Sequence, residues 1–157
     1  MNRLQNKQFN RATEFLDSEL TRYAQVAAEA VERLRKQPSE ERVAGAAYAL
    51  SALAERAYSL RTHILDPLES GDLATAIATV NAGRIGRGMR MTDICYALLR
   101  LAALDTARFR ELCQAAQAPE DVSTVASSDP NPKLVEILTE MGLITLLPDL
   151  APSEEEA

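Results

Sequence analysis

Between Leu4 and Gln37 the chain has neither proline nor glycine. Over such a stretch, an apolar period near 3.5 leaves little alternative to one long helix. Phe9, Leu16, Leu20, Tyr23, Ala27, Ala30 and Leu34 provide that period, with steps of 4, 3, 4, 3 and 4 from Leu16 onward. Ala24 and Val31 widen the stripe on one side. A helix of about 30 residues is about 45 Å long and, with so few large apolar residues, needs a partner along its length.

The partner follows at once. Pro38 stops the first helix, Ser39 is a candidate N-cap, and Glu40 and Glu41 fall where carboxylates favour a helix N-terminus. A second stripe runs through Val43, Ala46, Leu50, Leu53, Ala57, Leu60 and Ile64. Two heptad-like helices across a tight break predict an antiparallel αα-hairpin. Its interaction seam is expected at Leu16, Leu20, Tyr23, Ala27 and Leu34 against Leu50, Leu53 and Ala57. In that register position n faces roughly position 77 − n, so Tyr23 should be buried near Leu50 or Leu53. Asp66-Pro67 should end the second helix, because the ring removes a donor and restricts the residue before it. Ala47, Ala54 and Tyr58 lie beside the seam and imply further helices or a second subunit.

Composition agrees with a helical core. Of 157 residues 46% are apolar, but only 4% are aromatic, none is Trp and 26 are Ala. The expected fold class is all-α: a helical bundle on a long antiparallel hairpin, with shorter helices and an irregular C-terminal arm. The chain divides into a hairpin (1–66), a Gly/Arg-rich loop with packing helices (67–118), short helices with an apolar arm (119–147) and an acidic tail (148–157). Ser70-Gly71-Asp72 reads as a turn and a cap, followed by Leu73, Ile77 and Val80 on a short helix. Thr92 or Asp93 can cap the next helix, with Ile94, Ala97, Leu98, Leu101 and Leu104. Phe109, Leu112, Ala115 and Ala116 follow, either on a continuation of it or on a separate helix capped near Asp105-Thr106. Pro132 suits a first helical turn, and Leu134, Ile137, Leu138 and Met141 follow at helical spacing. Leu143 to Leu147 is an apolar strand or docking arm.

Charge is unevenly spread. The net charge is −6, which argues against a general polyanion binder. Residues 84–110 nevertheless carry six basic and two acidic groups, while 111–157 carry one basic and ten acidic groups. Gly83, Gly86 and Gly88 alternate with Arg84, Arg87 and Arg90. This spacing is neither a P-loop nor a dinucleotide fingerprint. Exposed backbone N–H groups and forked guanidinium donors still make the three arginines candidates for anion or nucleic-acid contact. The competing reading pairs them with the protein's own carboxylates.

Little else carries chemistry. One His and two Cys far apart do not make a zinc site. Glu29 and Glu32 lack the Glu-x-x-His partners of a di-iron site. Cys95 and Cys113 read as small buried hydrophobes, and His63 as a surface residue near a helix end. No catalytic residue, metal or cofactor is expected. No signal peptide or membrane span is expected from the sequence, and the two thiols fit a cytoplasmic protein. The leading functional expectation is a non-enzymatic helical interaction or assembly factor that self-associates and binds another protein. The alternatives are an oligomeric nucleic-acid-associated protein using Arg84, Arg87 and Arg90, and a small helical enzyme.

Overall fold

In the computed structural model the protein is an all-α helical bundle. The structure describes residues 1–82, 91–121 and 131–140, without the side chains of 91–94. Gly83, Arg84, Gly86, Arg87, Gly88, Arg90, Met141, the 143–147 arm and the acidic tail lie outside the described residues, as do the side chains of Thr92, Asp93 and Ile94.

Helix α1 (Arg3–Lys36) is 34 residues long, about 51 Å. Asn2 caps it, accepting from the Gln5 N–H while the Gln5 side chain accepts from the Asn2 N–H. Helix α2 (Glu40–Leu60) starts at Ser39, whose hydroxyl accepts from the Arg42 N–H at 3.1 Å. The second arm does not end at Asp66-Pro67 as the sequence predicts. It passes through a π-helical turn (Arg61–Leu65) into a short α3 (Asp66–Glu69). Pro67 has no N–H for the His63 carbonyl, and its ring would crowd that carbonyl in an α-helix. The wider turn relieves the crowding. The freed carbonyl accepts instead from the Thr79 hydroxyl at 3.1 Å. The arm stops at Gly71, at φ +79°, where the Asp72 N–H reaches back to the Pro67 carbonyl at 2.7 Å.

Asp72 then caps α4 (Leu73–Ala82), accepting from the Thr75 N–H and hydroxyl. Helices α5 (Met91–Leu104) and α6 (Thr106–Ala115) are separate, which resolves the choice between one helix and two. Asp105 caps α6 through the Arg108 N–H, and the Glu41 carboxylate of α2 accepts from the Ala107 N–H at 3.1 Å. The break is thus held from outside as well as by its own cap. Helix α7 (Pro132–Glu140) begins at Asn131, whose side chain accepts from the Lys133 and Leu134 N–H groups.

Among the described residues, helices α4, α5 and α6 pack on one side of the hairpin. Helix α4 covers the half near the α1 N-terminus, where Ala12, Phe15, Leu60, Ile64, Ala76, Ile77 and Val80 form one core cluster. Helices α5 and α6 cover the half near the turn, and α7 packs on α6. There Tyr23, Val26, Ala49 and Ala52 meet Leu98, Leu99, Phe109, Leu112, Leu134 and Leu138.

The contact surface between the arms is rotated from the expected seam. Helix α1 buries Ala12, Phe15, Glu19, Tyr23, Val26, Ala27 and Ala30. Helix α2 buries Gly45, Ala46, Ala49, Ala52, Arg56 and Leu60. Tyr23 and Ala27 are inside, whereas Leu16, Leu34 and Leu53 are half-buried and Leu20, Leu50 and Ala57 are exposed. Each arm has two neighbours, the other arm and the packing helices, so its buried arc centres between them. Leu20, Leu50 and Ala57 are turned outward as a result. The register also moves: it would set Glu19 opposite Tyr58, but Glu19 meets Arg56.

Candidate interaction surface

Two features anchor the hairpin and thereby decide what its bare side presents. The first is an ion pair in the seam. Glu19 and Arg56 are 2% and 7% exposed, and the Arg56 Nη2 donates to the Glu19 Oε1 at 2.5 Å. The Arg56 guanidinium also sits 5.8 Å from the centre of the Tyr23 ring. Burial pushes the Tyr23 hydroxyl well above the ordinary phenol range, with the neighbouring Cys95 adding to the effect. The second feature is Gly45, whose missing side chain lets α2 lie against the Ala103 carbonyl of α5. Sequence reasoning passed over both. Each left a trace: Gly45 stands alone in an alanine-rich helix, and Glu19 interrupts the row Ala12, Phe15, Tyr23.

With these inside, larger apolar residues are left outside. Leu20 is 43% exposed, Val31 44%, Val43 55% and Leu50 51%. At about 100° per residue, Leu20 and Val31 lie nearly half a turn from Glu29, which reaches Arg100 on α5 at 3.7 Å. Val43 and Leu50 likewise point away from Gly45, the contact with α5. Exposed Ala24, Ala28, Ala47, Ala54 and Ala57 fill the spaces between them. Tyr58 and Leu65 extend the row toward the far end, as does Phe9 on α1. The charged residues between Leu20 and Val31 are Arg22 and Glu29, both on the α5 side. Between Val43 and Tyr58 they are Glu55 and the buried Arg56. The middle of the bare side is therefore uncharged, in a chain of which 25% is charged.

The seam residues are thus divided. Tyr23 and Ala27 belong to the interior, while Leu16, Leu20, Leu34, Leu50, Leu53 and Ala57 edge or form the bare side. Chemistry elsewhere is sparse. His63 is exposed. Among the described residues no group of three or more His, Cys, Asp or Glu side chains could hold a metal ion. Glu32 is held below the usual carboxylate range by the Arg35 guanidinium beside it. Among the described residues no helix is long and apolar enough to cross a membrane.

Both thiols are free and buried, Cys95 1% and Cys113 fully. Burial and the nearby Glu120 push the Cys113 thiol up to about 11. A raised value favours the neutral thiol in the folded state. That contribution is present below the thiol's ordinary value and is lost as pH rises from about 9 to about 11. We expect urea midpoints to fall over that window, and to fall less in Cys113→Ala. Equal slopes for the two proteins would refute it.

The chain matches no family model, no curated protein and no solved structure among those it was compared with. What the fold and surface define is a class: an all-α bundle whose hairpin, among the described residues, has one side covered by helices and one side bare.

Proposed function

We propose that this chain is a non-enzymatic interaction or assembly protein that self-associates through the bare side of its hairpin. One observation carries the reading: the uncharged row of Leu20, Val31, Val43 and Leu50 along the middle of a surface otherwise rich in charge. Continuous apolar surface of this kind marks an interaction site more often than scattered exposed leucines do. Alanines between the larger side chains let a second pair of helices approach closely, as in a four-helix bundle. The two reduced, buried thiols suit work in the cytoplasm.

Light scattering on a sizing column tests the proposal. The wild-type chain should elute as a defined multimer of 17.2 kDa subunits. Leu20→Glu and Leu50→Glu should each run as monomers with unchanged helicity. A charge placed in such a contact weakens it by about a hundredfold or more, whereas an exposed site costs the monomer little. A wild-type monomer at high micromolar concentration would overturn the proposal.

The same runs read a second function. Nucleic acid that co-elutes until salt removes it would favour phosphate contact through Arg84, Arg87 and Arg90. One observation supports that reading. On α5, the helix beginning directly after these arginines, Tyr96 has Arg22 5.9 Å above its ring and Arg100 bonded to its hydroxyl.

A further inference from the structure

The proposal of self-association leaves open which way two hairpins meet. On that reading, we infer that the partner is a second copy placed parallel to the first, turns together. The two-fold axis then runs along the helices, and α1 of each copy lies against α2 of the other.

The argument starts from heights along the hairpin. The Glu19 and Arg56 side chains meet across the seam, and α1 ends at Lys36 where α2 begins at Glu40. Positions whose numbers sum to about 75 therefore stand at similar heights, each further residue climbing about 1.5 Å. Within about one helical turn, Ala24 is then level with Leu50, Leu20 with Ala54, Val31 with Val43 and Arg35 with Glu40. A two-fold axis parallel to the arms keeps every height. It therefore sets Ala24 of one copy against Leu50 of the other, and Leu20 against Ala54, with Ala57 one turn along. At these two positions a large side chain meets a small one, as close helix packing needs, while Val31 meets Val43 toward the turn.

Charge at the ends of the row agrees. The same placement brings Arg35 level with Glu40 of the second copy. Asp17 comes within about one turn of Arg61. Each pair occurs twice, and all have opposite signs. Arg35 and Arg61 hold Glu32 and Asp66 in their own chain, yet their side chains stay 69% and 71% exposed. Both can take a further carboxylate at the rim of a contact.

The antiparallel arrangement fares worse. Centred on the stretch from Leu20 to Val31, it would lay α1 on α1, which sets Leu20 against Val31 and Asp17 against Arg35 but Leu16 against Lys36. Phe9 and Leu65 would then project past the turn of the other copy. The parallel arrangement covers the row from Phe9 to Val43.

Mixed cysteine variants test the inference. Ala24→Cys and Leu50→Cys chains, carrying different tags, are co-expressed and oxidised mildly, alongside each variant alone. Native Cys95 and Cys113 are buried. The expected result is a mixed 24–50 disulfide about tenfold above the self-linked product of either variant alone, because pairing holds the two thiols at high effective concentration. Val31→Cys with Val43→Cys should behave alike and serves if the first pair loosens the dimer. A dimeric protein in which Leu50→Cys links chiefly to itself would overturn the parallel arrangement while keeping self-association. A wild-type monomer by light scattering would remove both.

Discussion

Replacing Arg56 by Ala is expected to cost about 3–5 kcal/mol, the usual penalty for leaving one member of a buried ion pair alone. Glu19 would keep a carboxylate 2% exposed in the hairpin seam, with Arg22, 3.9 Å away at its edge, as a poor substitute. Domains of this kind are stable by only about 5–15 kcal/mol in total, so the variant should be near the limit of folding. The double change Glu19→Leu with Arg56→Leu removes both charges and should recover most of the loss, since apolar residues of similar volume often replace a buried pair at no cost. Urea denaturation of the three proteins reads this directly. A single variant within about 1 kcal/mol of wild type would show that the pair is solvated and does not set the register.

Gly45 carries the second large expectation, and here two principles oppose each other. Ala is the better helix former by about 1 kcal/mol, so propensity alone predicts that Gly45→Ala stabilises α2. The structure predicts the reverse. A Cβ at this position would overlap the Ala103 carbonyl, and its next neighbour is the Thr106 hydroxyl at 3.3 Å. Neither yields easily, because Ala103 is helix backbone and the Thr106 hydroxyl donates to the Ala102 carbonyl at 2.9 Å. Overpacking of this kind costs about 1–3 kcal/mol. Thermal unfolding should therefore show a lower midpoint for Gly45→Ala, and a larger drop for Gly45→Val. A rise in the Gly45→Ala midpoint would mean that α2 and α5 are not held at this distance.

Much of the hairpin was legible because its signals are local. A helix boundary needs a proline, a cap and a first turn, and Pro38, Ser39, Glu40 and Glu41 supply all three within four positions. The cap at Asp72 and the start at Pro132 were readable for the same reason. The end of the second arm was not. Asp66-Pro67 is a stop signal by every local rule, yet the helix passes through it. Thr79, far along the chain, takes the carbonyl that the proline abandons.

The face turned inward was likewise out of reach. Apolar period tells which residues share a side of a helix, but two such arcs overlap on α1 and α2. Leu16, Leu20 and Ala27 make one, and Phe15, Glu19 and Tyr23 the other. A hydrophobic ranking chooses Leu20 over Glu19, and Ala57 over Arg56. The folded chain chooses the charged pair, because each meets its opposite across the seam and the residues around them are small enough for close approach.

The sequence by itself therefore determined the helical class, the two long arms, the turn between them and most of the caps. These depend on residues within a few positions of one another. Only the tertiary structure decided the rotation of the arms, the break between α5 and α6, and the side left bare. Those outcomes rest on contacts between distant residues: Glu19 with Arg56, Gly45 with Ala103, and Glu41 with Ala107. Small residues could satisfy the inner face only because α5 and α6 brought leucines and a phenylalanine to meet them, and the larger side chains of the hairpin were left on its outer face.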